Sequence, residues 1–192
     1  MLLAPRSAYL APSEWIDSDH PDVVALARRL AGATVEETAR RCFEWVRDEV
    51  RHSRDFQTGP VTCRASDALR HRTGYCYAKA HLLAALLRAN GVPAALAYQR
   101  LSVNDEGAPY SLHGLVAVEL PGHGWYRIDP RGNKQGVEAQ FSPPVEQLAF
   151  APRGEGERDL PGLHAQPLPA VVACLTRNAT WEAALADLPD VP

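Results

Sequence analysis

The hydrophobic pattern of the chain changes from helical to strand spacing at Gly91 and Pro93, and this change constrains the fold more than any other feature. Before it, the run 76–90 carries apolar residues at helical spacing, namely Ala80, Leu83, Ala84 and Leu87. After it, three segments have the pattern of strands: 94–101, 113–120 and 124–129. The tight turn Gly122-His123-Gly124 joins the last two and predicts an antiparallel hairpin. A helix packed on a mostly antiparallel sheet belongs to the α+β class.

The remaining segments predict short elements around this helix and sheet. Pro21 and Gly32 bound a helix at 20–31, and the capping-box pattern Thr34-Val35-Glu36-Glu37 opens a helix that runs to about Val50. The pattern also predicts short helices at 66–71, 143–150 and 179–188, and a strand at 170–176. We expect one domain over 1–192, with a core at about 35–135, an N-terminal arm at 1–18 and a C-terminal extension at 136–192.

The charge of the chain argues against several classes of partner. The 192 residues have a formal net charge of −3, and the arginines are scattered rather than gathered into a basic run. We therefore expect neither nucleic acid nor a membrane surface as a partner. No segment reaches the ~18 consecutive apolar residues of a membrane span. The N-terminus lacks the pattern of a signal peptide, which predicts a cytoplasmic protein. The oligomeric state is left open.

Four cysteines are present, and only Cys76 has a position that suits chemistry. No Cys-x-x-Cys or His-x-x-x-His pair exists, so we expect no metal site and no other cofactor. Cys42 falls on the apolar face of a predicted helix, and Cys63 and Cys174 are interpreted as structural. Cys76 begins the long helix just after Gly74. A helix N-terminus favours a thiolate, and its free N–H groups can receive an oxyanion.

A nucleophilic cysteine needs an imidazole, and the imidazole needs a group that orients it. His113 opens one strand of the predicted hairpin, and Asp129 ends the other. Because the start of one antiparallel strand lies opposite the end of its neighbour, both residues are expected at the same edge of the sheet. Cys76, His113 and Asp129 are therefore the predicted catalytic residues.

The motifs around these three residues resemble the transglutaminase-like superfamily, and most closely its small bacterial stand-alone members. They are Thr73-Gly74-Tyr75-Cys76, Leu112-His113-Gly114 and Trp125-Tyr126-Arg127-Ile128-Asp129-Pro130, in that family's order and over roughly residues 35–135. The resemblance implies a papain-like or transglutaminase-core fold, with the helix that bears the cysteine packed on a mostly antiparallel sheet. It also implies the Cys-His-Asp triad of a cysteine protease-like enzyme.

The sequence departs from the family pattern at two places. Many members have an aromatic residue two places after the histidine, where this chain has Leu115. The upstream Trp or Gln that completes the oxyanion hole in related enzymes has no clear match, and Gln57 is a candidate by residue type alone. His52, in the loop before the nucleophile, is a further candidate, and Tyr75 and Tyr77 are candidates for contacts with substrate.

The expected function is cleavage or transfer of an acyl group from a peptide or isopeptide-like amide through a thioester. Three alternatives stay open. An arylamine N-acetyltransferase-like enzyme uses the same triad, but usually has an Arg-Gly-Gly sequence before its cysteine, where this chain has Arg72-Thr73-Gly74. A non-catalytic binding module could use the same scaffold, although the complete set of three residues argues against it. A metal-dependent hydrolase is disfavoured because the paired ligand motifs are absent.

Overall fold

The computed structural model describes residues 4–104 and 106–191, and its mixed helices and antiparallel sheet confirm the expected α+β class. Its α-helices are α1 (Pro21–Leu30), α2 (Val35–Glu49), α3 (Ser53–Phe56), α4 (Ala65–His71), α5 (Cys76–Ala89), α6 (Pro169–Arg177) and α7 (Trp181–Ala186). Its strands are β1 (Arg51–His52), β2 (Thr73–Gly74), β3 (Ala94–Ser102), β4 (Tyr110–Leu120), β5 (Gly124–Ile128) and β6 (Arg158–Asp159). A short 3₁₀ helix, Arg6–Tyr9, precedes them.

Helix α5 forms the centre of the structure. Its residues from Cys76 to Arg88 are all buried, because α1, α2 and α4 pack against it on some sides and strands β3 and β4 on others. A helix that is covered all round needs apolar residues on every face, which explains the run Leu82-Leu83-Ala84-Ala85-Leu86-Leu87. Arg88 is one of three buried polar residues of the helix, with Lys79 and His81, and its guanidinium donates to the carbonyls of Ala11, Ala94 and Ala165.

The main sheet has the strand order β5-β4-β3-β6 with antiparallel neighbours. Strands β4 and β5 form the hairpin expected from the turn at 121–123, with Val116 opposite Ile128. This register brings the start of β4 and the residue after β5 to the same end of the hairpin. A second, two-stranded sheet pairs β1 with β2 in parallel, and sets His52 opposite Gly74. This pairing connects the loop after α2 to the segment just before α5.

Two predicted elements are wrong. Residues 170–176 were expected as a strand, but they lie in α6, which begins with Pro169 and buries Val171, Cys174 and Leu175 at helical spacing. The β-branched residues of this segment favour a strand, but burial of one face at helical spacing stabilises the helix. Residues 143–150 were expected as a short helix, and no helix forms there. Adjacent prolines begin that segment and supply no N–H donors, so its backbone instead bonds across to Gln140.

Side-chain caps mark the starts of α2 and α7. The Thr34 hydroxyl accepts a hydrogen bond from the N–H of Glu37, and the Glu37 carboxylate accepts one from the N–H of Ala33. Thr180 caps α7 in the same way through Ala183. Within the described residues, none of the helices combines the length and the hydropathy that a bilayer crossing requires. In the same residues, no cluster of His, Cys, Asp and Glu side chains has the arrangement of a metal site.

Candidate active site

Cys76 is the first residue of α5, and its sulfur lies at the junction of this helix with the sheet. The first intrahelical hydrogen bond runs from the Lys79 N–H to the Tyr75 carbonyl. The N–H groups of Cys76, Tyr77 and Ala78 therefore have no partner inside the helix. A Cβ atom on Gly74 would lie 2.9 Å from the Cβ of Ala78, so only glycine lets the chain turn into the helix this tightly.

His113 and Asp129 are in direct contact at the edge of the main sheet. His113 Nε2 lies 2.8 Å from Asp129 Oδ2, and the Asp129 side chain is fully buried. Asp129 also accepts hydrogen bonds from the N–H groups of Arg131 and Ala149, at 3.0 and 3.1 Å. Burial acts to raise the pKa of Asp129, but the charge of His113 and these hydrogen bonds outweigh it and lower the pKa. The carboxylate is therefore ionised and fixed in orientation.

His113 lines the same cavity as Cys76. Burial by itself lowers the pKa of His113, but the negative charges of Asp129 and Cys76, with the hydrogen bond to Asp129, raise it to about 10. The imidazole therefore carries its second proton at neutral pH. The N–H of Gly114 points at the Cys76 sulfur, with the nitrogen 3.5 Å from Sγ. The Cys76 sulfur thus has a backbone amide pointing at it and an imidazolium in the same cavity, the surroundings that a cysteine nucleophile needs.

Gly114 allows the helix to approach β4 this closely. A Cβ atom there would lie 3.0 Å from Cδ1 of Tyr77 and 3.3 Å from its Cα, closer than a packed side chain normally sits. The Tyr77 hydroxyl then donates to the carbonyl of Leu112, which ties the first turn of α5 to the strand. The glycine after His113 is therefore a structural requirement of the junction.

A cavity of about 1110 Å³ opens onto Cys76 and His113. Apolar side chains form part of its wall, and they are Leu101, Val103, Leu112, Phe150 and Leu188. Charged side chains also face it, and they are Arg54, Arg131, Lys134, Arg153, Glu155 and Glu157. The side chains of Cys76 and His113 are each only 6% exposed, so a molecule that reaches them must enter this cavity. The volume is sufficient for several residues of an extended peptide or for a small ligand.

A charged cluster that the sequence analysis did not identify lies on one side of the cavity. Asp55 accepts from Arg131 at 2.6 and 3.0 Å and from Lys134 at 2.8 Å. Burial acts to raise the pKa of Asp55, but these hydrogen bonds lower it to about 2. The cluster holds the loop after Asp129 against α3 and fixes the wall that contains His52. Asp55 is more than 70 residues from Arg131 and Lys134 in sequence, so no local pattern indicated the cluster.

The predicted contact residues fall into two groups. His52, Tyr75 and Tyr77 all line the cavity. The Tyr75 hydroxyl donates to the carbonyl of Trp181 at 2.6 Å, so both tyrosines present their rings, rather than free hydroxyls, to the site. Gln57 is exposed, has a left-handed backbone conformation with φ of 49°, and is not part of the cavity wall. Its position gives no support to a role in the oxyanion hole.

The other three cysteines have no access to this chemistry. Cys42, Cys63 and Cys174 are buried, and burial raises their pKa values to about 12, 12 and 11. A thiol with such a pKa is a poor nucleophile at neutral pH. His81, one and a half turns after Cys76, is fully buried on the far side of α5, where its Nδ1 lies 2.8 Å from the Cys63 carbonyl.

Comparison with known proteins gives a family and a fold. The profile of a family described as the transglutaminase-like superfamily matches residues 24–130. No curated protein matches the sequence. The crystal structure of a candidate cysteine protease from Cytophaga hutchinsonii is similar with a TM-score of 0.52 and 24% identity, over 68% of this chain and 43% of that one. This likeness shows a shared fold.

The periplasmic domain of TgpA from Pseudomonas aeruginosa, bound to ethylmercury, is also similar. Its TM-score is 0.49 at 23% identity, over 65% of this chain and 48% of that one. The chain therefore spans less than half the length of either of these two solved chains.

Proposed function

Because the chain belongs to the transglutaminase-like superfamily, we propose that Cys76, His113 and Asp129 are the catalytic triad of a cysteine enzyme that acts on amides. The substrate is a peptide or isopeptide amide, and the reaction is hydrolysis or acyl transfer to an amine through a thioester. One observation carries this proposal. The His113 imidazole contacts a buried carboxylate, and the N–H of the next residue points at a sulfur at a helix start. His113 and Cys76 both lie in the wall of a cavity that can admit a peptide.

The first half-reaction forms the thioester. The Cys76 thiolate attacks the carbonyl carbon of the amide and gives a tetrahedral intermediate with a negative oxygen. Free N–H groups at the start of α5 lie where this oxygen can accept hydrogen bonds. His113 then donates its proton to the amide nitrogen as the carbon–nitrogen bond breaks. The amine leaves, the acyl group stays on sulfur, and the Asp129 carboxylate holds the imidazole in place throughout.

The second half-reaction regenerates the thiolate. His113, now neutral, accepts a proton from water or from an amine that attacks the thioester carbonyl. The carbon–sulfur bond breaks, and either a carboxylic acid or a new amide leaves. The pair that remains is again a thiolate and an imidazolium. The identity of the attacking group decides between hydrolase and transferase.

The first test measures whether Cys76 is the reactive thiol. Brief treatment with iodoacetamide at pH 7, followed by peptide mass spectrometry, is expected to label Cys76 at least tenfold faster than the other three cysteines. His113→Ala is expected to remove this preference, and Cys63→Ala to leave it intact. Equal labelling of all four thiols would contradict the proposed ion pair.

The second test identifies the reaction. A library of fluorogenic peptide amides is incubated with the wild-type protein and with Cys76→Ala, in the presence and absence of a primary amine. Release of the amine group only by the wild-type protein supports the enzyme. Incorporation of the added amine favours a transferase over a hydrolase. Specific binding of peptides with no turnover, and with an unreactive Cys76, would favour the binding-module alternative.

A further inference from the structure

His52 lies beside the nucleophile because of strand pairing, although 23 other residues separate the two in sequence. The parallel pairing of β1 with β2 sets His52 opposite Gly74, two residues before Cys76. Its ring packs edge-on against Tyr75, with the ring centroids 5.7 Å apart. His52 also lines the same cavity as Cys76 and His113. The imidazole is therefore part of the cavity wall next to the start of α5.

The two nitrogens of His52 differ in their surroundings. The residue is only 7% exposed, and Nδ1 is buried without a hydrogen-bond partner. The Asp55 Oδ2 atom is 3.7 Å from Nδ1, which is too far for a hydrogen bond. Within the described residues, Nε2 makes no hydrogen bond either, but unlike Nδ1 it is not among the fully buried atoms without a partner. Buried polar side chains are seldom left unsatisfied, so a group that enters the cavity is the natural partner of this ring.

The charge around His52 suits an anionic partner. Burial first, and then the positive charge of Arg131, hold the pKa of His52 well below its ordinary value, while Asp55 opposes them. The ring is therefore neutral at pH 7 and carries a single N–H. A neutral imidazole that does not readily take up a second proton can still donate a hydrogen bond to a developing negative oxygen. Arg131 and Lys134, which share the single carboxylate of Asp55, add positive potential to the same wall.

We propose that the Nε2–H group of His52 is the side-chain donor of the oxyanion hole. This role rests on the thioester chemistry proposed above. The negative oxygen formed when Cys76 attacks a carbonyl would accept one hydrogen bond from His52 and another from a free N–H at the start of α5. His52 then fills the place for which the sequence suggested Gln57, which is exposed and outside the cavity wall.

Two small reagents separate this role from thiolate formation, and neither requires the natural substrate. Iodoacetamide alkylates Cys76 by displacement of iodide at a saturated carbon, so no oxyanion forms. p-Nitrophenyl acetate acylates the same sulfur through a tetrahedral oxyanion and releases p-nitrophenolate. The rates of both reactions at Cys76 are measured by mass spectrometry on the full chain. The ratio of the acylation rate to the alkylation rate measures the contribution of the oxyanion hole, because both reactions depend on the same thiolate.

Three substitutions of His52 are compared. His52→Leu is expected to lower the acylation rate by about 10²–10³, the usual effect of losing one oxyanion donor, and to leave alkylation within about threefold of wild type. His52→Gln is expected to recover part of the acylation rate, since its amide reaches the position of Nε2. His52→Asn reaches only the position of Nδ1 and is expected to resemble His52→Leu. If His52→Leu does not fold, the Gln and Asn variants still make the comparison.

The outcomes distinguish this inference from the proposed function. If wild-type Cys76 is not preferentially alkylated, the proposed function fails and the His52 inference fails with it. If Cys76 is reactive but His52→Leu or His52→Asn changes neither rate, His52 only packs against Tyr75 and the inference is wrong. Equal losses of alkylation and acylation would show that His52 acts on the thiolate, which also overturns the inference. Only a selective loss of acylation, partly restored by Gln, supports it.

Discussion

Asp129→Asn is the most informative single substitution, because it removes one charge and leaves the shape of the side chain almost unchanged. Asp129 Oδ2 accepts from His113 and Ala149, and Oδ1 accepts from the N–H of Arg131. An asparagine has only one oxygen, so at least one of these donors loses its acceptor. We expect the oxygen to keep the position of Oδ2, which leaves the Arg131 N–H facing an NH₂ group.

The cost in stability has two parts. A buried N–H without an acceptor costs about 1–3 kcal/mol. Removal of one partner of a buried ion pair brings the total to about 3–5 kcal/mol, and His113 can relieve some of it by losing its proton. Loss of the orienting carboxylate is also expected to lower turnover of an amide substrate by about 10²–10⁴. These values apply near pH 6, where both partners are charged in the wild-type protein.

The loss of stability should depend on pH in a defined direction. The pKa of His113 is raised to about 10 in the folded protein, above the value of about 6.5 in an unfolded chain. Its contribution to stability is therefore complete below about pH 6.5 and disappears as the pH rises through 10. The difference in unfolding free energy between wild type and Asp129→Asn is expected to be largest at pH 6 and to fall towards the cost of the unpaired N–H, about 1–3 kcal/mol, as the pH rises through 10.

Urea unfolding at pH 6, 8 and 10 measures this difference, and the imidazole proton resonances of His113 report its protonation directly. In the wild-type protein the ring should still be protonated at pH 8, whereas in Asp129→Asn it should titrate at a lower pH. A variant with the stability and His113 titration of the wild-type protein would refute the buried ion pair. A difference in stability that grows as the pH rises would refute the upward shift assigned to the pKa of His113.

Three other substitutions test separate parts of the structure. Gly114→Ala should cost about 1–3 kcal/mol in urea unfolding and slow iodoacetamide labelling of Cys76, because its Cβ would press on Tyr77; wild-type values would contradict the close junction. Cys174→Ala should leave the rate of labelling at Cys76 unchanged by mass spectrometry, since burial raises the Cys174 pKa to about 11. Burial, first, and the charge of Arg131 lower the pKa of Lys79 to about 7. The folded state therefore disfavours the charged form of Lys79. The resulting loss of stability is complete below pH 7 and absent above about pH 10.5. Lys79→Met should therefore be less destabilising at pH 6 than at pH 10, as measured by urea unfolding.

Local sequence patterns predicted the elements that carry the candidate site. Helical spacing and the glycine at 74 predicted the start of α5, and the structure begins that helix at Cys76. The turn at 121–123 predicted the β4–β5 hairpin, which has the expected antiparallel register. These features depend on neighbours within a few residues, so their signals are readable from the chain alone. The α6 segment shows the limit, because its β-branched residues favoured a strand and its buried face decided for a helix.

The sequence by itself determined which residues could form a reactive set and which strands would carry them. Only the tertiary structure decided what surrounds that set: the Ala149 N–H on Asp129, the cluster around Asp55, and His52 opposite Gly74. Each of these contacts joins segments about 20 or more residues apart, and the path of the intervening chain determines whether they meet. Hydrophobic period and turn chemistry act over a few residues and hold no information about that path. The neutral, unpartnered imidazole of His52 could therefore be recognised only after the chain had folded around it.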